Sequence, residues 1–97
     1  MKTLEEIKTL LMKHREDLKT RYGVREIGIF GSYVRGKAGE ESDLDILVDF
    51  ENPLSLLRIV ALEHELQDLL GVKVDLVPKK NVRKELEKEI LNYVVFL

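Results

Sequence analysis

From Ser42 to Phe50 the chain alternates by parity: Leu44, Ile46, Val48 and Phe50 fall on one side, and Asp43, Asp45, Leu47 and Asp49 on the other. A period of two marks a strand whose two faces see different surroundings. One face is core and the other presents acids. Such a strand needs neighbours to pair with and helices to cover its apolar side.

The flanking sequence supplies both. Thr3 with Glu6 fits a capping box, and Leu4, Ile7, Leu10, Leu11 and Leu18 share a helical face until Gly23 provides a C-cap. A β-type run, Val24 to Phe30, stops at Gly31-Ser32, where a brief helical turn through Tyr33, Val34 and Arg35 is expected, capped by Ser32 and ended by Gly36. Residues 37–41 read as an exposed loop. Asn52-Pro53 opens a second long helix through Leu56, Leu57, Val60, Leu66, Leu69 and Leu70 to Gly71, and Val72, Val74 and Leu76 alternate with Lys73 and Asp75 before Pro78 closes a third strand. Asn81 caps a last helix, and the apolar ending Tyr93 to Leu97 is expected to be buried, in the chain's own core or as an edge strand against a partner. The result is an α/β (α+β) fold, a small mixed sheet of three or more strands flanked by helices.

At 97 residues and 44% hydrophobic content the chain suffices for a single domain, residues 1–97. No apolar run approaches the roughly eighteen residues of a membrane span, and acids follow directly on Leu4, so a cytoplasmic protein with no membrane association is expected. A formal net charge of -2 argues against general nucleic-acid binding. With no cysteine, any metal must be held by oxygen or by His14 and His64, and neither histidine has a second one at ligand spacing.

Asp43 and Asp45, one residue apart on a strand, leave the same face and repel each other unless a cation lies between them. Oxygen ligands alone suit a hard ion, Mg²⁺ or Mn²⁺. Asp75, between core residues Val74 and Leu76, completes the cluster if its strand is a neighbour. Asp-x-Asp is also common on solvated strand faces, and Gly-Ser alone is an ordinary turn and cap. Their combination is what points to chemistry: a glycine at a strand end lets a phosphate approach the backbone, the following N–H groups face that anion, and Ser32 adds a hydroxyl.

Gly31-Ser32, ten residues, then Asp43-Leu44-Asp45 resembles the signature of DNA polymerase β-like nucleotidyltransferases. The fuller runs Gly31-Ser32-Tyr33-Val34-Arg35-Gly36 and Ser42-Asp43-Leu44-Asp45-Ile46-Leu47-Val48 are similar to the minimal nucleotidyltransferase, or MNT, branch. That resemblance implies a catalytic and metal-binding set of Asp43, Asp45 and Asp75, holding two Mg²⁺ ions or Mn²⁺ in their place, and a nucleotide-binding set of Gly31, Ser32, Arg35 and Ser42. Arg35 either reaches a phosphate or pairs with an acid to orient the loop. Ser42 either hydrogen-bonds the backbone before Asp43 or touches the nucleotide. The implied reaction is in-line attack of an acceptor hydroxyl on the α-phosphorus of ATP, with pyrophosphate leaving.

MNT proteins act as antitoxins of HEPN ribonucleases by adenylylating a tyrosine on the toxin, so a HEPN toxin partner and ATP are the expected ligands, with homo-oligomers open. A noncatalytic antitoxin acting by complex formation is the alternative, but a pure binding module has no need of clustered acids. Transfer to a small molecule lacks a substrate domain. Lys79, Lys80, Arg83 and Lys84 read as a solvated face or a surface for an acidic partner. Replacing either strand carboxylate, Asp43→Asn or Asp45→Asn, is expected to abolish Mg²⁺-dependent nucleotidyl transfer while leaving the circular dichroism spectrum unchanged; wild-type transfer in a Mg²⁺ titration would remove these residues from the site.

Overall fold

A computed structural model of the chain describes residues 3–34, 36 and 43–97. Helix α1 (Leu4–Tyr22) opens with the expected reciprocal cap: the Glu6 amide donates to the Thr3 hydroxyl at 3.2 Å, and the Thr3 amide to Glu6 Oε1 at 3.2 Å. It ends where Gly23, at φ 69°, turns the chain left-handed and donates to the Lys19 carbonyl. Strand β1 (Val24–Phe30) follows directly. A 3₁₀ turn (Gly31–Tyr33) leaves it, and β2 (Leu44–Phe50) returns antiparallel to it. Helix α2 (Leu56–Leu70) then carries the chain to β3 (Val74–Pro78), parallel to β2. A second 3₁₀ turn (Lys79–Asn81), helix α3 (Lys84–Tyr93) and a two-residue strand β4 (Val95–Phe96) complete the order.

The sheet is mixed, with strand order β3-β2-β1-β4. On one face α1 and α2 bury Ile27, Ile29, Leu44, Ile46, Val74 and Leu76 against Ile7, Leu11, Leu62 and Leu66. Val24 joins this face although it is an odd number of positions from Ile27, because a register shift between Val24 and Glu26 reverses the parity. The opposite face carries Gly28, Asp45, Leu47, Asp49, Asp75 and Val77. Leu47, grouped with the acids by sequence, is only 2% exposed. It lines a narrow cleft with Val82, Ile90 and Leu91, so α3 covers the middle of this second face, while among the described residues Asp43 and Asp75 at the acidic end stay exposed. Among the described residues no helix is long and apolar enough to cross a membrane.

Two boundaries differ from the sequence reading. Helix α2 starts at Leu56, not after Asn52, because the Ser55 hydroxyl accepts the Arg58 amide at 3.3 Å and takes the capping role. Leu56 and Leu57, in its first turn, are 76% and 83% exposed. Asn81 ends a 3₁₀ turn, and α3 begins after Arg83 with no side-chain cap. The apolar ending pairs with this chain's own β1, Gly28 opposite Phe96 and Ile29 opposite Val95, and Leu97 packs against the core. The loop expected at 37–41 lies outside the described residues.

That pairing depends on Gly28. A Cβ there would stand 2.5 Å from Val94 Cγ2 and 3.1 Å from the Phe96 ring. Val94 is β-branched and cannot swing aside freely. Gly28→Ala is expected to lower unfolding stability by about 1–3 kcal/mol, and the loss should be smaller in a chain lacking residues 94–97; equal losses in urea titrations of both would separate Gly28 from the tail.

Candidate active site

The position of the acids follows from register. Asp45 and Asp75 are Cα partners on parallel neighbours, so their side chains leave the same face one strand spacing apart, about 4.8 Å. The Leu44 amide donates to the Lys73 carbonyl at 2.8 Å and fixes the two strand starts together. Asp43 stands two residues before Asp45, just ahead of β2, and is exposed, as is Asp75; Asp45 is half-buried. On the other side Phe30 is the Cα partner of Asp45, which brings Gly31 against the carboxylate.

Gly31, at φ 78°, has the conformation that glycine alone adopts without strain. A Cβ there would clash with Asp45 Oδ2, with Asp45 Cγ at 3.0 Å. The expected role for this glycine was room for a phosphate at the backbone. The structure adds that Asp45 itself occupies the space a side chain would need. Ser32 lies inside the 3₁₀ turn, half-buried, where it makes no cap; the capping position is Phe30, with no side-chain bond. A turn of three residues carries little macrodipole, so an anion here would be met by individual N–H groups. Arg35 and Ser42 lie outside the described residues.

The electrostatics among the described residues are those of an acidic cluster. Burial, then the charges of Asp75 and Asp43, push the Asp45 carboxyl up to about 6. Among the described residues no three His, Cys, Asp or Glu side chains already enclose a point that would hold an ion. The carboxylates stand along one face. Their donor chemistry nevertheless fits a hard divalent ion: oxygen only, negative, half-desolvated at Asp45 and open to solvent at Asp43 and Asp75. His14 and His64 sit on α1 and α2, the helices of the other face, and do not join the cluster. Asp49, further along the same strand face, accepts from Arg25 Nη2 at 2.6 Å and Nε at 3.1 Å. Sequence reasoning missed Gly28, for which a lone glycine inside an apolar strand was the available signal.

Because the folded chain binds the Asp45 proton more tightly than the unfolded one, stability is lost as pH rises from the ordinary carboxylate value of 3.8 to about 6. Asp45→Asn is therefore expected to melt above the wild type at neutral pH. The gap should close below pH 3.8 and should narrow at neutral pH when Mg²⁺ is added. Melting scans across pH, with and without the ion, check both; a gap independent of pH would remove the charge explanation.

The nucleotidyltransferase domain family matches residues 11–97 of this chain. The chain is 54% identical over 97 residues to the protein adenylyltransferase MntA of Thermococcus cleftensis, covering 100% of this chain and 98% of that protein. A solved structure provisionally described as a minimal nucleotidyltransferase aligns with a TM-score of 0.76 at 36% identity, over 94% of this chain and 95% of that one. Another, a toxin–antitoxin with AMP-PNP, aligns with a TM-score of 0.71 at 25% identity, over 95% of this chain and 69% of that one. These likenesses span the strand bearing Asp43 and Asp45, the strand bearing Asp75 and the Gly31 turn together. The chain belongs to the nucleotidyltransferase domain family, within the minimal branch whose members include the MntA protein adenylyltransferases.

Proposed function

We propose that this protein is a single-domain cytoplasmic antitoxin that transfers AMP from ATP to a tyrosine hydroxyl of a HEPN ribonuclease toxin and so neutralises it. The observation that carries this reading is the registered pair Asp45–Asp75, with Asp43 on the same face and Gly31 beside the Asp45 carboxylate. The 54% identity to a protein adenylyltransferase supports the transferred group, and the likeness to a toxin–antitoxin with AMP-PNP supports the kind of partner.

In this reading Asp43, Asp45 and Asp75 hold divalent ions, two Mg²⁺ or Mn²⁺. Bound there, the ions neutralise triphosphate charge and stabilise the entering and leaving oxygens. Gly31 keeps the backbone low enough for the terminal phosphates to approach, and the Ser32 hydroxyl and adjacent N–H groups donate to them. Arg35 and Ser42 complete the nucleotide-binding set. Asp75, on the outer strand, faces the incoming acceptor and orients its hydroxyl. The tyrosine oxygen bonds to the α-phosphorus as the bond to the bridging oxygen breaks, pyrophosphate leaves, and the hydroxyl proton passes to solvent. A protein acceptor brings its own binding surface, so a small domain need hold only the nucleotide and an open face. The added AMP places negative charge and bulk where a ribonuclease admits an RNA backbone.

Incubation of the protein encoded beside this one with ATP, Mg²⁺ and this chain is expected to add AMP to a tyrosine, read by intact mass and peptide mapping. An unmodified partner held inactive in a tight complex would replace this reading with a noncatalytic antitoxin.

A further inference from the structure

Strand β3 is a sheet edge, and half of its amides face away from β2. Two side chains of α2 meet them. Gln67 Oε1 accepts the Val74 amide at 3.0 Å, and Glu63 Oε2 accepts the Leu76 amide at 3.1 Å; both bonds are partly buried. The spacings match for a physical reason. Positions four apart on a helix are separated by about 6.0 Å along its axis, and positions two apart on a strand by about 6.6 Å. The pairing is crossed, earlier helix residue to later strand residue, because Gly71 reverses the chain between the two elements. Asp75 sits between the two clamped amides, with its neighbours Val74 and Leu76 buried on the core face.

We infer that Glu63 and Gln67 are positioning residues that fix the peptides on both sides of Asp75 and thereby hold its carboxylate opposite Asp45. The inference rests on the ion-binding role given to Asp75 above. Neither residue touches nucleotide or ion, since both lie on a helix that covers the other face of the sheet. They act through the β3 backbone. Without them two edge amides lose their acceptors, and β3 is free to twist away from β2, as edge strands do when nothing covers them. The cost falls first on Asp75, because β2 is held by two neighbours and β3 by one.

The test is Mn²⁺ binding to the nucleotide-free protein, measured by calorimetry well below the melting temperature. Gln67→Met removes one acceptor without altering charge or length and is expected to weaken Mn²⁺ affinity about tenfold; Glu63→Met should do at least as much. The exchanged pair Glu63→Gln with Gln67→Glu keeps both acceptor oxygens and the net charge, and should bind as the wild type does. In an Asp75→Asn background Gln67→Met should add nothing further, because the effect passes through Asp75. Wild-type affinity in Gln67→Met, or the same tenfold loss in both backgrounds, would overturn the inference. Mass analysis of an acceptor protein is a separate readout: its failure would count against AMP transfer while the Mn²⁺ series still decides this point.

Discussion

Three carboxylates on one face of a sheet repel one another, and the repulsion is strongest where water is scarcest, at Asp45. Like charges drift apart unless the backbone that carries them is held. Much of this small structure can be understood as that restraint. The parallel register sets Asp75 beside Asp45, the Leu44 amide is tied to the Lys73 carbonyl, and the antiparallel register with β1 brings the Gly31 turn against the Asp45 carboxylate. Under the proposed metal-binding role, the same charge that costs stability at Asp45 would attract a divalent cation.

Helix α2 serves both ends of this scheme. Its inner face, Leu62, Leu66 and Leu70, supplies apolar burial, and Glu63 and Gln67 on its flank satisfy the edge amides of β3. Its first turns meet α1 through a polar group of some complexity: Arg21 bonds Asp17 and Glu65, while Arg58 stacks over Tyr22 with its guanidinium carbon 4.6 Å from the ring centroid. These contacts are worth little individually, but Arg21–Glu65 and Arg58–Tyr22 cross between α1 and α2 and resist sliding of one helix along the other. A helix that cannot slide keeps its acceptors in step with β3.

The second face of the sheet divides into two regions. Its middle is covered by α3, whose contact is light: no described residue of α3 is fully buried, and Leu86 and Leu91 remain 44% and 40% exposed. Its far end is crossed by Lys79, which donates to Glu26 at 3.1 Å, so part of the basic cluster belongs to an ion pair and is not a free cationic surface. Among the described residues, Asp43 and Asp75 at the acidic end remain exposed. A lightly packed helix beside the acidic cluster is the sort of element expected to have low local stability, which suits the proposed approach of an acceptor across that face.

The sequence alone determined the local facts. Parity placed Asp43, Asp45 and Asp75 on polar strand positions, capping chemistry gave both ends of α1, and Gly31-Ser32 marked the turn, because each of these rests on spacing within a few residues. It did not reveal what depends on residues far apart in the chain. The start of α2 is ambiguous in the sequence because Asn52-Pro53 and Ser55 both carry capping chemistry, and in the fold Ser55 takes the cap. Leu47 shares its parity with acids, and its burial comes from α3, more than thirty-five residues later in the chain. The direction of β3, its exact register with β2, and the pairing of the apolar ending with Gly28 were settled by tertiary structure, because backbone pairing is chosen by the whole sheet and carries no code in either strand by itself.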